Sequence, residues 1–285
     1  MKKIILLVLL SNLIFAKELR SIKEEYESIL SKKYALLPHN GIFLLPFSYS
    51  NNPNKKSYEG ITSRSEFADR GEFNREVEAE FQISFLVLLA RKAFGSDYQL
   101  FLGYTQNSWW QVYNADWSRQ FRETNYGPEV FARRILSKPI KFLGGDLIGY
   151  DLGFIHQSNG QIQELSRSWN RIYARFLLNY KNTFVKADLW YRVPDSEDEN
   201  PDTKEFIGHG QIEIAHIWKK NKYTVKFLPG IHKAGVELSY SYPLKEGLRF
   251  FTKVNYGYGH ALIDYDHRTE KIGVGVELTD LLTSK

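Results

Sequence analysis

The chain has 285 residues, no cysteine, and 38 Lys and Arg against 33 Asp and Glu, for a formal charge of +5. Disulfides, thiolate catalysis and cysteine metal sites are excluded, and basic residues scattered among acidic ones, with no block, argue against a nucleic-acid partner. A mean hydropathy of -0.40 fits a soluble protein, and equally a membrane barrel whose inward residues are polar.

The first predicted element is a secretion signal over residues 1–16. Lys2 and Lys3 form its positive start, Ile4 to Phe15 its apolar stretch, and Ala16 its cleavage position. The apolar run is short of the roughly 20 residues a spanning helix needs. The next longest clean run is only Phe85 to Ala90. The chain is therefore expected to leave the cytoplasm without a helical membrane span. Residues 17–40 begin with the charged, weakly helical KELRSIKEEYESILSKK and are expected to be a periplasmic N-terminal arm.

From residue 41 to residue 285 the pattern changes to alternation. Val185, Ala187, Leu189, Tyr191 and Val193 interleave with Lys186, Asp188, Trp190 and Arg192. Ile272, Val274, Val276 and Leu278 interleave with Lys271, Gly273, Gly275 and Glu277. A period of 2 is the signature of a strand with two unlike faces. Twelve such segments are predicted, over residues 42–50, 78–91, 97–112, 124–137, 142–158, 168–181, 183–194, 205–219, 223–231, 233–243, 246–258 and 270–282. Most are near ten residues, the length of a tilted membrane strand. The 18 Tyr and 6 Trp fall at many strand ends, as an interfacial girdle requires. Short links such as Leu244–Glu246 alternate with longer polar ones such as Asp195–Lys204. The fold predicted is an all-β, transmembrane antiparallel barrel of about 12 strands. A soluble β-sandwich or lipocalin-like barrel is the alternative.

The stretch Tyr150 to Arg175 (YDLGFIHQSNGQIQELSRSWNRIYAR) carries the chemistry. Counting back by twos from His156 gives Phe154, Leu152 and Tyr150. Counting forward from Asn170 gives Ile172, Ala174 and Phe176. His156, Ser158 and Asn170 thus share the apolar face, which in a barrel is the lipid face. A serine hydroxyl is a poor nucleophile unless an imidazole takes its proton. The imidazole needs a third group to fix its tautomer, and an amide oxygen can accept that hydrogen bond. Pairing segments 142–158 and 168–181 as a hairpin would bring Asn170 close to His156. A His-x-Ser pair also arises by chance; its place on an apolar face favours function. Gln106 is likewise on an outward face, after Tyr98, Leu100, Leu102 and Tyr104. An amide in hydrocarbon gains by bonding a partner.

HQSNG followed by SRSWNR resembles the outer-membrane phospholipase A family, which carries His-x-Ser-Asn-Gly and then Ser-Arg-Ser-Trp-Asn-Arg at this spacing. YTQNSWWQ at Tyr104 to Gln111, FRETNY at Phe121 to Tyr126, LIDY at Leu262 to Tyr265 and GVGV at Gly273 to Val276 match further family segments. The resemblance covers nearly the whole mature chain, less clearly before about residue 75. It implies a twelve-stranded, calcium-dependent lipase in the outer membrane, active on phospholipid as a homodimer. It implies His156 as general base, Ser158 as nucleophile and Asn170 as orienter of His156. It implies the backbone N–H groups of Ser158 and Gly160 as oxyanion hole, and Gln106 as dimer contact. The implied Ca2+ ligands are Ser118 from the other subunit, the carbonyl of Gln161, and Ser166, with Glu199 at a further acidic position. The sequence departs from the family at Gln161, commonly Arg, and at Gln163, commonly acidic. Its end, DLLTSK, lacks the usual terminal aromatic. The competing function is a passive porin or structural barrel, which leaves three polar residues on lipid unexplained; an adhesin role for the outer loops is a further option.

Overall fold

Alternation places one side chain in two on each face of a sheet, so the structure turns on which face is wet. The computed structural model describes residues 26–28, 30–31, 36–67, 69–93 and 95–278. The expected signal over 1–16 and the C-terminal residues 280–285 lie outside these. The strands are β1 (Leu36–Pro38), β2 (Phe43–Ser50), β3 (Val77–Ala93), β4 (Tyr98–Trp110), β5 (Glu123–Phe142), β6 (Gly145–Ser158), β7 (Ser168–Tyr180), β8 (Thr183–Val193), β9 (Gly210–Trp218), β10 (Asn221–Pro229), β11 (Ala234–Lys245), β12 (Leu248–Gly257) and β13 (Thr269–Leu278). Each pairs antiparallel with its sequence neighbour from β2 onward, and β13 returns to β2 through Lys271↔Ser50 to Glu277↔Phe43. The sheet closes as a twelve-stranded barrel.

The thirteenth strand is the first half of a broken one. β1 pairs with β3 at Leu36↔Val87 and Pro38↔Phe85, in line with β2, which pairs farther along at Phe43↔Gln82. The break at residues 39–42 includes Gly41 at φ +89. It turns two polar side chains into the barrel: His39 bonds Glu129, and the Asn40 amide donates to Thr105 Oγ1 at 3.1 Å. Part of the segment expected as an arm is also inside: Tyr26 and Leu30 are buried with Leu37, Leu86, Phe101 and Phe131. Tyr26 donates to Gln99 Oε1 at 2.8 Å.

Among the described residues, three predicted boundaries move by three residues or more, one of them because segment 124–137 runs on as a strand to Phe142. Segment 205–219 begins as a strand only at Gly210, because Thr203–Phe206 is a helical turn. Asn200 starts it by donating its amide to Thr203 Oγ1 at 2.6 Å. Segment 142–158 begins at Gly145, because Leu143 and Gly144 take φ +47 and +82. Positive φ at both central residues is the two-residue hairpin turn that matches strand twist.

The barrel is inverted relative to a soluble protein. Leu102, Leu152, Ile172, Leu189, Tyr191 and Ile272 are exposed on the outside, while Glu80, Asp151 and Lys253 are buried within. That excludes the soluble-sandwich alternative, since a water-facing apolar belt of this kind would aggregate. The buried charges are paired. Arg133 forks onto Asp151 with two bonds of 2.8 Å. Arg175 forks onto Asp188 at 2.9 and 3.1 Å. Lys253 and Lys271 converge on Glu80 and Glu78. The lumen is not filled: a cavity of about 540 Å³ remains among these groups. Longer links (51–76, 111–122, 159–167, 194–209, 230–233 and 258–268) lie at one end and short turns at the other. Link 258–268 folds back into the mouth, burying Leu262, Ile263 and Tyr265. His260, on the same link, accepts from the Trp109 indole at 3.2 Å. Burial, reinforced by Lys271 and Lys253, holds its imidazole well below the ordinary histidine range.

Removing one partner from a buried ion network leaves an uncompensated charge. Glu80→Ala should lower unfolding stability by about 3 kcal/mol in a urea titration of the vesicle-embedded barrel. Asp146→Asn, which breaks the Lys141–Asp146 pair whose lysine is solvent-exposed, should change it by less than about 1 kcal/mol.

Candidate active site

The site lies where three strands end at the long-link rim. β5 pairs with β6 at Tyr126↔Ser158, and β6 with β7 at His156↔Asn170 and Ser158↔Ser168. Leu152, Phe154 and Ile172 on the same face are exposed, while Asp151, Trp169 and Tyr173 on the other are buried. His156, Ser158 and Asn170 are therefore outward, and each is half-buried. Their shared face follows from period 2 alone; their proximity follows from the hairpin register.

His156 Nδ1 lies 2.8 Å from Asn170 Oδ1. With the amide oxygen toward the ring, Nδ1 donates and Nε2 is left as a base. Ser158, two residues along the same face, is the adjacent hydroxyl. This arrangement can take a proton from a hydroxyl, and it stands beside apolar side chains rather than in a soluble cleft.

After Ser158 the chain turns. Gly160 takes φ +63, and a Cβ there would come within 3.1 Å of the Tyr126 ring. Residues Gln163–Leu165 form a single 3₁₀ turn. Ser166 Oγ donates to Glu199 Oε1 at 2.6 Å, and Ser168 Oγ to Glu199 Oε2 at 3.1 Å. Ser166, Glu199 and the link carrying Gln161 are thus brought together, and their hydroxyl, carboxylate and carbonyl oxygens suit a hard cation. No group of three or more His, Asp or Glu placed to hold a metal occurs among the described residues. Oxygens from hydroxyls, carbonyls, water or another chain would have to complete any such shell. Ser118 sits apart in link 111–122, where its carbonyl accepts from the Trp110 indole at 2.8 Å. Gln106 is on the outer face and already bonded: Tyr104 donates to Oε1 at 2.9 Å, and Nε2 donates to Ser108 Oγ at 3.1 Å.

Several neighbours are given no role by the sequence, although Asn159, Arg122, Glu123, Ile263 and Asp264 lie within the matching segments HQSNG, FRETNY and LIDY. Link 51–76 roofs the site: Ile61, Phe67 and Leu165 pack on Tyr58, Phe73, Trp117 and Ile263. Under that roof Arg122 joins Glu78 at 2.8 Å and Asp264 at 3.0 Å, tying wall to mouth. Asn159 stands between Ser158 and Gly160 with its side chain inward, and Glu123 is buried below it. Period 2 would have turned Asn159 inward, but what it meets there is 36 residues away.

Comparison with known proteins agrees across the chain. Residues 19–278 match the family model described as Phospholipase A1. A putative phospholipase A1 of Neisseria meningitidis is 34% identical over 85% of this chain and 65% of its own length. The chain thus spans just under two thirds of that relative. The phospholipase A1 of Escherichia coli is 35% identical over 87% of this chain and 83% of its own. Among solved structures, the outer membrane phospholipase A of Escherichia coli superposes with a TM-score of 0.78 at 34% identity, covering 88% of this chain and 94% of the other. A Salmonella typhi outer membrane phospholipase, a dimer with bound calcium, gives 0.79 at 32% identity over the same shares.

Gly160→Ala forces a side chain into the left-handed region, at about 1–2 kcal/mol, and presses on Tyr126. Amides of residues 159–167 should exchange with solvent roughly tenfold faster, with the barrel's heat-modifiable gel migration unchanged.

Proposed function

Because the chain belongs to the phospholipase A1 family, we propose that this outer-membrane barrel hydrolyses phospholipid acyl esters with Ser158, His156 and Asn170. The observation that carries the reading is the His156–Asn170 hydrogen bond on the lipid-facing wall beside Ser158. A phospholipid in the membrane can present its ester to this face sideways, without leaving the bilayer.

Asn170 accepts from Nδ1, which leaves Nε2 as the free nitrogen of His156. His156 takes the Ser158 proton as the oxygen attacks the ester carbonyl carbon. Charge builds on the carbonyl oxygen, where the N–H groups of Ser158 and Gly160 can donate. Collapse breaks the bond to the glycerol oxygen, which leaves with the proton from His156. A water, deprotonated by His156, then attacks the acyl-serine; the bond to Ser158 Oγ breaks, His156 returns the proton to that oxygen, and the fatty acid leaves. Calcium bound beside this site would supply positive charge against the developing oxyanion. Ser166, the Gln161 carbonyl and Glu199 would hold it, together with Ser118 of a second copy. Ser166, Ser168 and Glu199 are hard oxygens already clustered, which fits calcium. They fall short of the six to eight oxygens it takes, which supports a dimeric site with water. Gln106, outward on β4, is the residue proposed to meet its own copy.

A porin reading is disfavoured. The cavity of about 540 Å³ is crossed by ion pairs, and link 258–268 occupies its mouth.

Ser158→Ala should abolish fatty-acid release while the barrel still folds by gel migration. Retained activity in the folded variant would remove the nucleophile. Asn170→Ala should slow single-turnover acylation roughly 10²–10⁴-fold, and Asn170→Asp less, since a carboxylate accepts the same bond. An Asn170→Ala rate equal to wild type would leave residue 170 a strand-end residue only.

Calcium and dimer should rise together, because linkage is reciprocal. Sedimentation in detergent, with activity read on the same samples, should show both lost in chelator. Ser118→Ala and Ser166→Ala should each weaken both. A fully active monomer, or full activity in chelator, would overturn the shared site and leave the serine chemistry standing.

A further inference from the structure

Asn159 separates the proposed nucleophile from the proposed oxyanion donor, and its side chain turns the opposite way from Ser158. It is 2% exposed. A primary amide has two donor and two acceptor positions, and here all four are used. Nδ2 donates to Leu165 O at 2.8 Å and to Glu123 Oε2 at 3.2 Å. Oδ1 accepts from the N–H of Arg167 at 3.0 Å and of Gln161 at 3.3 Å. The backbone N–H of Asn159 also donates to Arg167 O at 3.0 Å. One residue therefore clasps both ends of link 159–167, and Gly160 is held at its positive φ between the clasped positions.

An amide could sit in this slot either way round. Flipped, it would aim its oxygen at Glu123 and its NH2 at two backbone N–H groups. The backbone decides against that, since Leu165 O can only accept and the Arg167 and Gln161 N–H groups can only donate; the wall side adds a further acceptor in Glu123. Glu123 is 1% exposed, accepts from the Asn125 amide and from Ile263 N–H at 3.2 Å, and forms no ion pair among the described residues. Nδ2 is thus held toward the wall and Oδ1 toward the link, with Glu123 the anchor on the wall side.

We propose that Asn159, anchored to the wall by Glu123, is a positioning residue that sets the Ser158–Gly160 backbone for oxyanion stabilisation. This rests on Ser158 acting as the nucleophile. The carboxylate never meets substrate; it acts through the amide. Glu123→Gln keeps the shape but must turn its NH2 either toward Asn159 Nδ2 or toward the Asn125 amide and the Ile263 N–H, all donors, so the anchor on Asn159 is weakened.

The test is steady-state hydrolysis of a dispersed short-chain phospholipid by the refolded full chain with calcium, alongside Ser158→Ala. Asn159→Ala should lower kcat about 10²-fold with KM unchanged. Glu123→Gln should lower kcat roughly tenfold, also at constant KM, because a displaced oxyanion donor weakens only the transition state. The double variant should be no slower than Asn159→Ala alone, since Glu123 has nothing left to act through. Losses that multiply in the double variant would overturn the proposal. So would wild-type kcat in either single variant, or a rise in KM at constant kcat. Should Asn159→Ala fail to fold, Glu123→Gln alone decides by the same kcat and KM criteria. Activity in Ser158→Ala would instead strike the nucleophile reading, a separate outcome.

Discussion

Closure of the strand ring is the constraint on which the rest depends. In hydrocarbon no water can satisfy a free backbone N–H or C=O, so every strand needs a partner on both edges. The return of β13 to β2 supplies the last pairing. Once the ring is closed, each residue has only two places to point. Apolar side chains such as Leu152 and Ile172 go to lipid, and charged ones such as Asp151 and Arg175 go inside. The interior can hold those charges because they are forked onto each other. Unpaired, they would cost more than the wall could offset.

That inner network also carries the rim. Arg122 joins the wall at Glu78 to the mouth link at Asp264. Glu123, the next residue, joins the same link at Ile263 to link 159–167 at Asn159. Arg122, the last residue of link 111–122, and Glu123, the first of β5, therefore brace the mouth and the site from inside. Their side chains face the interior, while the chemistry they support faces lipid. A wall one sheet thick permits this: Ser158 and Asn159 are neighbours in the chain and lie on opposite sides of the barrier.

The position of His156, Ser158 and Asn170 at strand ends matters physically. Deep in hydrocarbon, an imidazole, a hydroxyl and an amide would be costly to expose. At the rim they lie between an apolar belt and polar links, and His156 and Asn170 satisfy one another. The outward row Gln106–Tyr126–Ser158–Ser168, set by direct cross-strand pairing, continues this polar band along three strand interfaces. The wall is thus wettable at one level and apolar below it, which suits a substrate with a headgroup and acyl chains.

Period 2 is a local property, and what depended on it was legible in the sequence. It placed His156, Ser158 and Asn170 on one face, Arg175 and Asp188 on the other, and the strands close to where they stand. The two left-handed residues Leu143 and Gly144 moved one boundary, and the Asn200–Thr203 turn moved another. Both are choices of a few atoms that alternation does not encode. The break at residues 39–42 was hidden for the same reason, since a register shift is visible only against the partner strand. Nor does the sequence show that Glu123 meets Asn159, or that Glu199 meets Ser166 across 33 residues. Alternation determined which side of the wall each residue faces. Only barrel closure, by fixing which strands lie side by side and in what register, decided which residues meet there.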